Sequence, residues 1–131
     1  MKEIKYKRDY AKTLIEIADL DLESAELLMN SKPKRMENAF FLAQQATDKA
    51  LKAVLCHIDR PVPLTHDLNI VIHCIGYAYK VPLADSVVEL TEFATIRRYE
   101  GSVIEYTTEE LVATIDGIKT LIDWATEIIK S

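Results

Sequence analysis

The sequence predicts an all-α protein, an up-and-down bundle of four to five helices that forms one domain over residues 1–131. Apolar residues recur at steps of three and four along most of the chain, which is the helical period. Only three glycines and four prolines are present, too few to separate the many short strands of a β protein. With 131 residues and 49% hydrophobic side chains, the chain is large enough to bury a core without disulfides or a metal.

Two long helices are predicted first, from residue 6 to 29 and from residue 35 to 58. Pro33 separates them, because proline cannot continue a helix and biases the residue before it away from helical angles. In the first helix the predicted stripe, with steps of three or four, is Tyr10, Leu14, Ile17, Asp21, Ala25 and Leu28. In the second it is Ala39, Ala43, Ala46, Ala50, Ala53 and His57, whose small side chains favour close approach of a neighbouring helix.

A shorter pair and a long closing helix follow. Residues 61–65, which contain two prolines, predict an extended connector. The third helix is expected over 67–79 and the fourth over 83–98, with a break at 80–82. Thr107 and Glu110 have the spacing of a capping box, which predicts the start of the last helix. Its core stripe is Leu111, Ile115, Ile118, Ile122, Ala125 and Ile129.

The charge distribution limits the classes of partner. The net charge is −5, with +1 over residues 1–60 and −6 over 61–131, so binding of duplex DNA over a broad face is disfavoured. Two cysteines without a CxxC pair, and an N-terminus without an apolar leader segment, predict a cytoplasmic location. No apolar run is long enough to span a membrane, so we expect no membrane partner.

Several common enzyme classes are excluded by missing motifs. Glycine occurs only at 76, 101 and 117, so neither a GxGxxG loop nor a Walker loop can form. The chain also lacks Glu-x-x-His, HExxH and Gly-x-Ser-x-Gly. We therefore expect no cofactor, no metal and no catalytic residues of these types.

Three polar residues of the second helix form the first candidate ligand-binding group. Gln45, Lys49 and Lys52 are spaced by four and three residues and so share a face, where two cations and an amide would suit a phosphate or an acidic partner. The alternative is a solvated helix face on which Asp48 and Lys52 form an ordinary i,i+4 ion pair.

The second candidate group opens the third helix. Asp67 is a natural N-cap, and its carboxylate suits the positive end of the helix dipole. His66 beside it is a candidate for proton transfer or phosphate contact, and alternatively packs over the proline connector. His57 and His73 are expected to be semi-buried and satisfied.

The third candidate group is Arg97, Arg98 and Tyr99, at the predicted end of the fourth helix. Two guanidinium groups and a stacking ring would suit a nucleotide. The alternative is that cations near a helix C-terminus interact with the helix dipole.

Several segments together resemble the HEPN domain family (higher eukaryote and prokaryote nucleotide-binding domain). They are residues 20–25, 40–53, 65–68 and 97–99, followed by the amphipathic closing helix. The resemblance implies a cytoplasmic bundle, often a homodimer, that accompanies a minimal nucleotidyltransferase. There it binds nucleotide or substrate for the partner, or acts as the toxin of a toxin–antitoxin pair.

Many HEPN proteins are metal-independent ribonucleases, and their signature is an Arg followed, after about four to six residues, by a His. Here the corresponding positions after Arg97 and Arg98 hold Ser102, Val103, Ile104 and Glu105. Tyr106 lies nearby, but tyrosine, with a pKa of about 10, is a poor general base at neutral pH. A non-catalytic module that binds nucleotide or RNA is therefore the favoured interpretation. The alternatives are a ribonuclease toxin with a rearranged site, using Arg97 or Arg98 with His66, and a scaffold that recruits another chain.

Two expectations concern surfaces. Lys52, His66 and Arg98 are expected to converge in one anion-binding cleft. Four apolar residues outside the principal stripes are candidates for homodimer contacts, or else belong to the core: Leu20, Leu27, Phe41 and Leu55.

Overall fold

The computed structural model describes residues 2–83, 85, 87, 89–90 and 107–131. Within these residues the elements with defined bounds are β1 (Glu3–Ile4), α1 (Tyr10–Met29), α2 (Met36–His57), β2 (Val62–Pro63), α3 (Leu68–Ile75) and α4 (Thr108–Lys130). Residues 85, 87, 89 and 90 are also helical and fall within the predicted fourth helix. Its predicted first residue, Leu83, instead lies in a turn with a φ of +59°, and its other positions lie outside the described residues. The prediction of an all-α bundle is confirmed. Among the described helices, none has the length and apolar character needed to cross a membrane.

The centre of the bundle is α2, which packs against α1, α3 and α4. The predicted alanine stripe of α2 is buried from Ala39 to Ala53, and His57 at its end is half-buried. Since alanine side chains are short, the neighbouring helices can approach the α2 backbone closely. Six residues connect α1 to α2, so the two helices run antiparallel.

The predicted stripe of α1 is partly correct. Leu14 and Ala25 are buried, and Tyr10 and Leu28 are half-buried and pack against the core. Ile17 and Asp21 are half-buried and lie outside the core. The helix packs against both α2 and α4. The buried residues of α1 are Ala11, Leu14, Ile15, Ala18, Leu22, Ala25 and Met29.

A two-stranded antiparallel sheet joins the N-terminus to the proline connector. Ile4 pairs with Val62, Glu3 pairs with Pro63, and the Leu64 amide donates to the Lys2 carbonyl at 2.9 Å. The extended connector was predicted, but its partner strand was not. Since residues 2–8 form this strand and its turn, α1 begins at Tyr10 and not at residue 6.

The third helix is shorter than predicted and ends at Ile75, not at residue 79. Gly76 follows with a φ of +60°, a left-handed conformation that takes the chain out of the helix. Arg60 then satisfies the free carbonyls, with Nη1 donating to Cys74 O at 3.0 Å and to Ile75 O at 2.7 Å. The proline-free sequence of residues 76–79 gave no sign of this tertiary cap.

The closing helix α4 follows the prediction closely. Thr107 caps it, since its Oγ1 accepts from the Glu110 amide at 3.1 Å, and all six members of its predicted stripe are buried. Leu55 of α2 is fully buried and belongs to the core, so it is not a dimer contact. Leu20, Leu27 and Phe41 are exposed.

Candidate ligand-binding site

A buried carboxylate organises the candidate site. The Asp48 side chain, in the middle of α2, is only 3% exposed, and its Oδ2 lies 2.9 Å from Lys52 Nζ and 3.3 Å from His66 Nδ1. The other oxygen, Oδ1, is also buried and has no hydrogen-bond partner among the described residues. The fold therefore brings two predicted site residues, Lys52 and His66, together on one carboxylate.

Asp48 is buried because α2 is covered on most of its circumference. Besides its apolar residues, α2 buries Gln44, Thr47 and Asp48, and Thr47 satisfies its hydroxyl by donating to Ala43 O at 2.9 Å. Lys52 follows Asp48 by one helical turn, so the i,i+4 pair forms as expected. The expectation that this face is solvated is wrong, since the Lys52 side chain is only 13% exposed.

Lys52 also ties the connector to α2. Its ammonium donates to the Thr65 carbonyl at 2.7 Å. Thr65 Oγ1 accepts from the Asp67 amide at 3.1 Å, and Asp67 Oδ1 accepts from the Asn69 amide at 3.0 Å. The N-cap predicted for Asp67 is thus confirmed, and His66 lies between two anchored residues.

The His66 ring contacts Asp48 through Nδ1 and is otherwise largely exposed to solvent. A carboxylate oxygen can only accept, so in this contact Nδ1 is the donor and carries hydrogen. In the neutral ring Nε2 then has the free lone pair. The side chain is 64% exposed, so the ring projects into solvent instead of packing over the connector.

Lys49 and Lys52 have different partners, although they share a face of α2. Lys49 Nζ pairs with Asp21 Oδ2 of α1 at 2.6 Å, away from the connector. Gln45, four residues earlier, is half-buried. Both lysine charges are therefore matched by carboxylates, one from α1 and one from α2 itself.

Four of the predicted site residues lie outside the described residues. They are Arg97, Arg98, Tyr99 and Tyr106. Whether Arg98 joins Lys52 and His66 in one cleft therefore stays a prediction from the sequence.

The other two histidines differ from His66 in their surroundings. His57 is half-buried as predicted, with its Nε2 3.3 Å from Arg8 Nη2 and its carbonyl accepting from Arg8 Nε at 2.7 Å. Burial, reinforced by the Arg8 charge, lowers the pKa of His57 below its ordinary value. His73 is exposed, so its predicted semi-burial is wrong; α3 turns this residue away from α2.

The described residues offer neither a metal site nor an activated thiol. No group of three or more His, Cys, Asp or Glu among them could hold a metal ion. Burial raises the pKa of the Cys56 thiol, and its Sγ donates to Lys7 O at 3.1 Å. Cys56 is therefore a protonated group that fastens the N-terminal segment.

Sequence reasoning missed the central role of Asp48. The residue was considered only as the exposed partner of Lys52. The local pattern gave no signal, because three of its four nearest neighbours on the helix surface are polar: Gln44, Gln45 and Lys52, with Leu51 as the fourth. The burial of Asp48 follows from the elements that cover α2, and a buried carboxylate requires donors nearby.

Comparison with known proteins assigns the family. A family model described as the HEPN domain matches residues 11–130, nearly the whole chain. The chain belongs to the HEPN domain family. The HEPN match spans α1 to α4 and includes the Asp48, Lys52 and His66 cluster. No curated protein and no solved structure matches the chain significantly.

Proposed function

We propose that this HEPN domain is a non-catalytic module that binds a nucleotide or RNA, with His66 as a direct ligand contact. The observation that carries the proposal is the exposed His66 ring held at 3.3 Å by the buried Asp48 carboxylate. One oxygen of this buried carboxylate has no partner within the described part of the chain, which costs free energy that an arrangement serving stability alone would avoid. A ring already oriented by Asp48 loses less conformational entropy on binding.

The non-catalytic part of the proposal is supported by the sequence after the arginine pair. The positions at which the HEPN ribonuclease signature requires histidine are occupied by Ser102, Val103, Ile104 and Glu105. None of these side chains can exchange a proton near neutral pH as imidazole does.

Calorimetric titration of the purified protein with ATP, GTP and a short single-stranded RNA tests the proposal. We expect saturable binding of at least one ligand, weakened about tenfold by His66→Ala, since one lost hydrogen bond is worth about 1.4 kcal/mol. His73→Ala is the matched control, because His73 is also exposed but lies outside the cluster. Wild-type protein that binds none of the three ligands would overturn the proposal.

A second candidate function is a ribonuclease toxin that uses Asp48 and His66 with Arg97 or Arg98. The contact between Asp48 and His66 favours it, since a carboxylate-oriented imidazole is a common general base. The test is incubation of single-stranded RNA with the purified chain, together with expression of the chain in growing cells. Cleavage and toxicity that both His66→Ala and Arg98→Ala abolish would establish this function in place of the first. Intact RNA and normal growth would eliminate it.

We further propose that the domain acts in the cytoplasm as a homodimer beside a minimal nucleotidyltransferase, in an arrangement of the toxin–antitoxin type. Membership of the HEPN family supports this, as does the exposure of Leu20 and Leu27 on one side of α1. Light scattering after size-exclusion chromatography should give twice the monomer mass, and a Leu20→Glu/Leu27→Glu variant should give the monomer. A nucleotidyltransferase gene next to this one, whose product co-purifies with the chain, would identify the partner. Monomeric wild-type protein would contradict the dimer.

A further inference from the structure

Among the described residues, the two lysines proposed from the sequence as phosphate ligands, Lys52 and Lys49, are neutralised by the protein itself. The Lys52 ammonium forms an ion pair with Asp48 at 2.9 Å and donates a hydrogen bond to the Thr65 carbonyl at 2.7 Å. The Lys49 ammonium forms an ion pair with Asp21 at 2.6 Å. An ammonium that is already paired and mostly buried would have to break these contacts before it could hold a phosphate.

Among the residues that the structure describes, the groups around His66 carry no excess of positive charge. Asp48 and Lys52 cancel one another, and Asp67, the next residue in the chain, adds a carboxylate. These described charges therefore give a polyanion no net electrostatic attraction toward the His66 ring. This balance does not suit the phosphate-binding role that the sequence suggested for Lys52 and His66.

We infer that the Asp48–His66 pair recognises a hydrogen-bond donor of the nucleoside, a ribose hydroxyl or a base N–H, and not its phosphates. The inference rests on the proposed function and specifies which part of the ligand meets His66. Because Asp48 takes the hydrogen of Nδ1, the exposed Nε2 of the neutral ring is an acceptor. Asp48 and Lys52 act through His66 as positioning residues, one orienting the ring and one holding the connector.

The experiment compares two probes, adenosine and inorganic tripolyphosphate, on three proteins at about pH 8, where free histidine is neutral. The proteins are the wild type, His66→Ala and the control His73→Ala. We expect wild type to bind adenosine, His66→Ala to bind it about tenfold more weakly, and the control to bind it unchanged. Tripolyphosphate affinity should be the same for all three proteins. In parallel, 2′,3′-dideoxyadenosine separates the two donors, since it lacks the 2′- and 3′-hydroxyls of the ribose and keeps the base amine.

A second variant tests the positioning role. Asp48→Asn removes the charge that neutralises Lys52, so tripolyphosphate affinity should rise several-fold while adenosine affinity falls. A purely structural role for Asp48 would lower both affinities together. Circular dichroism of each variant verifies that the helices are retained.

The outcomes separate this inference from the proposed function. If no nucleotide, nucleoside or RNA binds wild-type protein, the proposed function itself fails. If ATP binds but adenosine does not, or if His66→Ala weakens tripolyphosphate as much as adenosine, the inference is wrong and the binding function stands.

Discussion

Helices α2 and α4 have nearly the same length but differ in the share of their residues that is buried. In α4, eight of 23 residues are buried, and they form one stripe. In α2, 13 of 22 residues are buried, including one glutamine, one threonine and one aspartate. A helix covered on one side needs only an apolar stripe, whereas a helix covered on most sides also buries polar side chains. The candidate site therefore arises on α2, the helix that is covered on most of its sides.

The largest effect is expected at Asp48 of α2. Asp48→Ala leaves the mostly buried Lys52 ammonium unpaired, so the free energy of unfolding should fall by about 3 kcal/mol. Urea denaturation measures this loss. The matched control, Asp116→Ala on the exposed side of α4, should change it by less than about 0.5 kcal/mol. Adding Lys52→Met to Asp48→Ala should recover part of the loss, and no recovery would show that the cost does not come from the unpaired charge.

The next effect concerns the small residues by which α2 accommodates its neighbours. Ala50 is fully buried, so Ala50→Leu should overpack the interface and lower the unfolding free energy by about 2 kcal/mol. Thermal unfolding followed by circular dichroism reports the change. Ala113→Leu on exposed α4 surface should be close to neutral. Equal effects of the two substitutions would contradict the distinction between the helices.

A smaller effect is expected at the start of α4. Thr107→Ala removes the acceptor for the Glu110 amide and should cost about 1 kcal/mol of unfolding free energy. Thr120→Ala, in the exposed middle of the same helix, serves as the control for loss of a hydroxyl. A Thr107 variant as stable as the wild type would show that local capping contributes little here.

The smallest effect is a pH dependence at the end of α2. Burial and Arg8 lower the pKa of His57, so the unfolded chain binds this proton more readily than the folded one. Stability should therefore fall as pH drops through the ordinary histidine value of about 6.5. His57→Gln should flatten this part of the stability profile, measured by urea midpoints, and His73→Gln should leave it unchanged. A profile unaffected by His57→Gln would contradict the assignment.

The sequence-based predictions were more accurate for α4 than for α1. In α4 the cap and all six stripe residues were predicted correctly. In α1 four stripe residues are buried in the core or pack against it, Leu14, Ala25, Tyr10 and Leu28, whereas Ile17 and Asp21 lie outside it. The pairing of β1 with β2 joins residues about 60 positions apart, and no local pattern reports such a contact.

The candidate site was predicted in its parts but not in its arrangement. His66, Lys52 and the Asp67 cap were identified from local spacing, because a helix start and an i,i+4 pair are local features. The central position of Asp48 depends on which elements cover α2, and this is a property of the whole bundle.

By itself, the sequence determined the helices, the caps at Asp67 and Thr107, and membership of the HEPN family. These features depend on residues within a few turns of one another or on a pattern carried along the chain. Only the tertiary structure decided that Asp48 is buried, that Lys52 is neutralised, and that His66 keeps one ring edge open. Burial and charge pairing are set by contacts between distant segments, and the same carboxylate that would be a solvated surface group on an isolated helix becomes an orienting group inside the bundle.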